Sequence, residues 1–95
     1  MSRLEQLRAQ AGEIRLIAGR HKATAIAVFG SVARGEDGPD SDIDFLVDFN
    51  ADSSLFDVCY LQDELEALLG VSVDVVSRGG LKPRDTRIRE EALAL

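Results

Sequence analysis

Asp42 and Asp44 are the residues of this sequence whose type and spacing point most directly to chemistry. They flank Ile43 at the start of an apolar stretch that predicts a strand, and because side chains alternate along a strand, both carboxylates should lie on one side. Two like charges about 7 Å apart repel each other unless something neutralises them. Mg²⁺ binds a few carboxylates together with phosphate oxygens. The pair therefore indicates a metal site, although a solvated entry to the strand would have the same pattern.

A third carboxylate, Asp74, interrupts another apolar stretch. It alternates with Val73 and Val75, so in a strand the valines face one way and Asp74 the other. Burying an unpaired carboxylate is costly, which favours a partner for Asp74. If its strand lies beside the strand of the aspartate pair, the three carboxylates form a site for two metal ions. The alternative is an exposed position, or a salt bridge to Arg78.

Gly30 and Ser31 end the first predicted strand and begin a helical turn. Free N–H groups at such a turn suit a phosphate group, and glycine lets the backbone approach closely. Ser31 adds a hydroxyl group, and Arg34 lies one turn further on, where it could reach the same anion. These three residues are candidate nucleotide ligands. The alternative is a serine-capped turn with a solvated arginine.

The elements that must position these residues alternate between helices and strands, in the order α-β-α-β-α-β-α. A helix connects the second strand to the third, which makes them parallel neighbours, whereas the short connection before the second strand allows an antiparallel pair. We expect an α/β (α+β) fold with a small mixed sheet of three or four strands flanked by helices. The predicted elements are a helix that a capping box of Ser2 and Glu5 opens and that ends near Gly19, strands at residues 23–29, 43–49 and 71–76, a helical turn at residues 31–34, a helix at residues 55–69 and a last helix from Pro83 through Leu93.

Length and composition limit the classes of protein to which this chain can belong. The 95 residues predict a single domain spanning residues 1–95, and a net charge of −6 argues against direct binding to nucleic acid. The sequence has no apolar run of membrane-spanning length, begins without a secretory signal and contains one cysteine, Cys59. We therefore expect a cytoplasmic protein without a membrane segment. Cys59 lies within the longest predicted helix and is expected in the core.

Taken together, the candidate residues resemble a known family. The run from Gly30 to Glu36, the run Ser41-Asp42-Ile43-Asp44, and Asp74 on a following strand are similar to the motifs of the polymerase-β-type nucleotidyltransferase superfamily. Within it, the minimal nucleotidyltransferase branch of MntA-like antitoxins is the nearest in pattern. The resemblance covers nearly the whole chain and implies the nucleotidyltransferase fold.

The resemblance also implies roles for the candidate residues. Asp42 and Asp44 would bind two Mg²⁺ ions that carry ATP, and Asp74 would complete the metal set nearer the attacking hydroxyl. Gly30 and Ser31 would hold the β- and γ-phosphates. Attack at the α-phosphorus would release pyrophosphate and leave a nucleotide on the acceptor. A phosphate contact from Arg34 is our own addition from the spacing.

The identity of the acceptor follows from the resemblance and from size. Most of the chain is needed for a catalytic core, so we expect a partner to supply the acceptor. The resemblance implies a HEPN-domain toxin, which the protein would modify by adding AMP to a tyrosine hydroxyl. Two other hypotheses stay open: an antitoxin that acts by binding alone, and the catalytic subunit of a small-molecule nucleotidyltransferase.

Overall fold

The computed structural model describes residues 2–95 and has a four-stranded sheet with helices against both faces. Its elements are α1 (Arg3–Ala9), α2 (Ala11–Arg20), β1 (Ala23–Phe29), α3 (Gly30–Arg34), β2 (Ile43–Phe49), α4 (Leu55–Leu69), β3 (Val73–Ser77), a 3₁₀ helix (Arg78–Gly80), α5 (Thr86–Glu91) and β4 (Leu93–Ala94). Among the helices within residues 2–95, none is both long enough and apolar enough to cross a membrane.

The sheet has the strand order β3-β2-β1-β4 and is mixed, as the sequence predicts. β2 and β3 are parallel, and α4 forms the crossover between them. β1 pairs antiparallel with β2 on one side and with β4 on the other. The short connection between β1 and β2 therefore makes the antiparallel pair that its length allows.

The two ends of the chain differ from the prediction. The first helix is divided at Gln10, whose N–H is shared between the carbonyls of Gln6 and Leu7 at 3.1 and 3.2 Å. Predicting one continuous helix was therefore wrong. The last helix begins at Thr86 and ends at Glu91, rather than running from Pro83 through Leu93. The residues after it form β4, because the outer edge of β1 offers backbone partners that a longer helix would leave unpaired.

Two apolar clusters cover the two faces of the sheet. The larger one packs α1, α2 and α4 against one face, with Phe45, Leu61 and Leu65 fully buried in it. The smaller one packs α5 against the other face around Leu46 and Phe29. Alternation along β2 thus sends Ile43 and Phe45 into the larger cluster and places Asp44 and Leu46 on the α5 side.

The crossover helix α4 is fixed at both ends by local contacts. Ser54 and Asp57 form a capping box at its start, with the Ser54 N–H donating to Asp57 Oδ2 at 2.8 Å. Gly70 ends it in the left-handed conformation at φ 71°. Both ends agree with the predicted range of residues 55–69. Cys59, however, is exposed, so the expectation that it lies in the core was wrong.

Side chains of α4 also hold the outer edge of β3. The Val73 N–H donates to Glu66 Oε2 at 2.9 Å, and the Val75 N–H donates to Gln62 Oε1 at 3.2 Å. These two amides flank Asp74 and point away from β2. The contacts therefore fix the strand that carries the third predicted carboxylate.

Ion pairs join basic residues on either side of the segment 35–77 to acidic residues within it. Arg20 and His21 both contact Glu64, at 3.1 and 3.0 Å. Arg78 contacts Asp48 at 3.0 Å. Since that contact is with Asp48, the pairing of Asp74 with Arg78 that the sequence left open is not the one observed.

Candidate active site

The strand register brings the predicted site residues to one end of the sheet. Asp44 on β2 is the register partner of Asp74 on β3 and, on its other side, of Phe29 at the end of β1. Gly30 follows Phe29 directly. The start of the two parallel strands and the end of the antiparallel one therefore meet at the same place, which is the juxtaposition that the spacing suggested.

Asp44 and Asp74 also share a face. Each alternates with residues buried in the larger apolar cluster, Ile43 on β2 and Val73 on β3, so both carboxylates lie on the side of the sheet that carries α5. Asp44 is half-buried and Asp74 is exposed. Asp42 is exposed and lies one residue before β2. The site is open to solvent at its Asp42 and Asp74 side.

Asp44 is the carboxylate whose environment is most unfavourable for charge. Burial raises its pKa above the ordinary value, and the carboxylates of Asp74 and Asp42 raise it further. The Arg34 guanidinium acts in the opposite direction and is outweighed. A cation near Asp44 would relieve this repulsion, so the electrostatics agree with the metal-binding role predicted for the carboxylates.

The backbone of Gly30 lies directly against the Asp44 carboxylate. That backbone is left-handed, with φ +74°. A Cβ atom at this position would overlap Asp44 Oδ2 and come within 3.2 Å of Asp44 Cγ. Only glycine combines this conformation with this close approach. The requirement for glycine at the end of β1 therefore has a structural reason: it leaves room for the carboxylate.

The three predicted carboxylates do not enclose a metal ion by themselves. Within residues 2–95, no three side chains of Asp, Glu, His or Cys are grouped so as to surround a metal ion. Mg²⁺ is commonly held by one or two carboxylates, with phosphate and water oxygens completing its coordination. The hard oxygen donors of Asp42, Asp44 and Asp74 suit that ion.

The candidate phosphate donors contact a residue that sequence reasoning missed. The Gly30 N–H donates to Glu91 Oε1 at 2.9 Å, and Arg34 Nη1 donates to both Glu91 carboxylate oxygens at 3.0 and 3.1 Å. Arg34 also contacts Glu36 at 3.0 Å. Glu91 is the last residue of α5, 61 positions from Gly30 along the chain. No spacing pattern in the sequence could have connected the two.

Ser31 lies directly after Gly30 in α3 and is half-buried. Its carbonyl accepts a hydrogen bond from the Glu36 N–H at 2.8 Å, which closes the turn after α3. The structure thus places Gly30, Ser31 and Arg34 in one short helix at the end of β1, next to Asp44. All six predicted site residues lie at this end of the sheet.

Known proteins match both the sequence and the fold. Residues 12–95 match the family model of the nucleotidyltransferase domain. The protein adenylyltransferase MntA of Thermococcus cleftensis is 53% identical over 57 residues, which are 60% of this chain and 58% of that protein. The chain thus aligns with less than two thirds of the length of this relative.

Solved structures give the same result for the fold. A structure of a minimal nucleotidyltransferase superposes with a TM-score of 0.87 at 47% identity, over 100% of this chain and 97% of that one. A chain from the complex of a tri-AMPylated HEPN toxin of Shewanella oneidensis with its MNT antitoxin superposes with a TM-score of 0.69 at 18% identity. That match covers 92% of this chain and 69% of the other, and it concerns the fold alone.

Proposed function

Because this chain belongs to the nucleotidyltransferase domain family, we propose that it transfers AMP from ATP to a tyrosine hydroxyl of a partner protein, a HEPN-domain toxin. The observation that carries the proposal is the strand register that sets Asp44 beside Asp74 and beside the end of β1, where Gly30 begins. Carboxylates and anion donors then lie at one end of one sheet, as a metal-bound triphosphate requires.

Two of the three carboxylates serve the nucleotide, and the third serves the acceptor hydroxyl. Asp42 and Asp44 would hold the Mg²⁺ ions that carry the triphosphate, and Asp74 would complete the ligand set nearer the acceptor. When bound, the ions neutralise the charge that develops on the α-phosphate and on the leaving oxygen. Burial and then the nearby carboxylates of Asp74 and Asp42 raise the pKa of Asp44, and this supports the assignment because bound cations would favour the charged carboxylate.

The other residues orient the triphosphate. Gly30 presents its N–H group, and Ser31 its hydroxyl, toward the β- and γ-phosphates, while Arg34 adds a charged donor. The tyrosine oxygen forms a bond to the α-phosphorus, the bond from that phosphorus to the pyrophosphate oxygen breaks, and pyrophosphate leaves. The phenolic proton passes to the Asp74 carboxylate and from there to water. The products are AMP-tyrosine and pyrophosphate.

Similar proteins support a protein acceptor, and the exposed cysteine supports a cytoplasmic location. The structure of an AMPylated HEPN toxin with an MNT antitoxin has the same fold in one of its chains, and a relative of this chain is named a protein adenylyltransferase. Both support a protein acceptor. The exposed free Cys59 fits a reducing compartment such as the cytoplasm.

The experiment is intact-mass spectrometry of the product of the neighbouring gene, after incubation with this chain, ATP and Mg²⁺. We expect an added mass of about 329 Da for each AMP transferred through loss of pyrophosphate. Asp42→Ala, Asp44→Ala and Asp74→Ala should each abolish the addition. Asp40→Ala is the matched control, because Asp40 is an exposed acidic residue of the preceding loop and should leave transfer unchanged.

Two results would contradict the proposal. If no mass is added while the complex forms and the toxin is silenced equally by wild type and by the aspartate variants, the chain acts by binding alone. If AMP instead appears on a small molecule in the presence of the partner, the acceptor class is wrong.

A further inference from the structure

Glu91 occupies the donors that the proposed nucleotide site needs. Its carboxylate accepts hydrogen bonds from the Gly30 N–H at 2.9 Å and from Arg34 at 3.0 and 3.1 Å. Arg34 makes both of its contacts with Glu91 through one nitrogen, Nη1, and they are charge-assisted hydrogen bonds of the kind that arginine also makes with phosphates. A carboxylate thus lies where the proposed function puts a phosphate.

The position of Glu91 is held by the fold around it. It ends α5, and the next residues, Leu93 and Ala94, pair with β1. Its side chain is only 18% exposed. Burial alone raises the pKa of Glu91, but the hydrogen bonds from Arg34 and from Gly30 outweigh it and hold the pKa below its usual range. Glu91 is therefore charged at neutral pH and competes as an anion.

We propose that Glu91 is an internal competitor for the triphosphate, so that ATP binds only after its carboxylate has left Gly30 and Arg34. The inference rests on the proposed function, because it assumes that ATP uses these donors. Release by rotation of the Glu91 side chain would leave α5 in place, where Ile88 packs against the smaller apolar cluster. The affinity for ATP is then the intrinsic affinity reduced by the fraction of protein in which Glu91 is released.

The test is isothermal titration calorimetry with ATP and Mg²⁺ on wild type and on Glu91→Gln. The substitution keeps the shape of the side chain and removes its charge, and charge-assisted hydrogen bonds are about twice as strong as neutral ones. We expect the variant to bind ATP about fivefold more tightly or better. Glu90→Gln is the matched control, since Glu90 is exposed and adjacent, and it should bind as wild type does.

A second variant keeps the proposal falsifiable if Glu91→Gln does not fold. Glu91→Asp retains the charge but shortens the side chain by one methylene group, so it should weaken the contact with Gly30 and tighten ATP binding by a smaller factor. If wild type binds ATP and the folded variants bind it equally or more weakly, Glu91 does not compete with ATP and instead supports the site. That result would leave the proposed function in place. If no form binds ATP, the proposed function fails with it.

Discussion

Replacing Gly30 with alanine separates backbone strain from the contact with Asp44. Gly30 has φ +74°, and an added Cβ would meet the Asp44 carboxylate. Gly70 is a matched control with φ +71°, and a Cβ there would have no atom within 4 Å. Gly30→Ala and Gly70→Ala introduce the same backbone strain, because both residues have a positive φ. Only Gly30→Ala must also displace the Asp44 side chain.

The expected losses in the free energy of unfolding follow from the backbone strain and from the displacement of Asp44. An L-residue in the left-handed region costs about 1–2 kcal/mol, which both variants should lose from their free energy of unfolding. Turning Asp44 away from its present rotamer adds of order 0.5–1.5 kcal/mol. For a domain of this size, about 1 kcal/mol lowers Tm by roughly 4–8 °C. We therefore expect Gly30→Ala to melt roughly 2–12 °C below Gly70→Ala.

The functional difference should be larger than the difference in stability. Gly30→Ala displaces a proposed metal ligand, so it should lose binding of Mg²⁺ and ATP, whereas Gly70→Ala should retain it. The assays are thermal unfolding without metal and calorimetric titration of Mg²⁺ with ATP. A double-mutant cycle with Asp44→Ala adds a check, because the excess cost at Gly30 should vanish when the carboxylate is absent.

Equal melting temperatures for the two glycine variants, together with full nucleotide binding by Gly30→Ala, would refute the reasoning. The close approach of Gly30 to Asp44 would then have no consequence for either the fold or the site.

Two further substitutions test the electrostatics and the phosphate contact. The pKa of Asp44 is raised by burial and by neighbouring carboxylates, so the folded protein binds the Asp44 proton more tightly than the unfolded chain does. This protonation stabilises the fold at low pH, and the stabilisation is lost as pH rises through the raised pKa. Asp44→Asn cannot ionise, and without metal it should melt above wild type at neutral pH, with the gap closing in acid; a gap that is independent of pH would contradict this. Ser31→Ala should weaken ATP binding about tenfold while melting within about 4 °C of wild type, as measured by titration and by thermal unfolding. Unchanged affinity would remove Ser31 from the phosphate site.

The central elements could be predicted because their signals are local. β1, β2 and α4 have the predicted bounds, since each is an apolar run or a helical pattern ended by glycine or by a capping serine. The predicted nucleotidyltransferase fold is confirmed. The expectation that Cys59 lies in the core was wrong, because Leu61 and Leu65 face the core and helical periodicity puts Cys59 on the other side of the helix.

The parts that were not predicted depend on contacts between distant residues. β4 exists because β1 offers it an edge, and a two-residue strand has no pattern of its own. The contact of Glu91 with Gly30 and Arg34 likewise requires the position of α5 in space. The roles of the six candidate site residues stay a prediction, although the strand register and the position of α3 after β1 bring them to one end of the sheet.

The hydrogen bonds from the edge of β3 to Glu66 and Gln62 have a consequence for assembly. An unpaired strand edge is a template onto which another chain can add a strand, and this is how many sheet proteins aggregate. Here two outward amides of β3 are already satisfied by side chains of α4. A further strand would have to break both bonds before it could pair. The β3 edge of the sheet is therefore protected against the addition of a further strand, whether from another protein or from another copy of this chain.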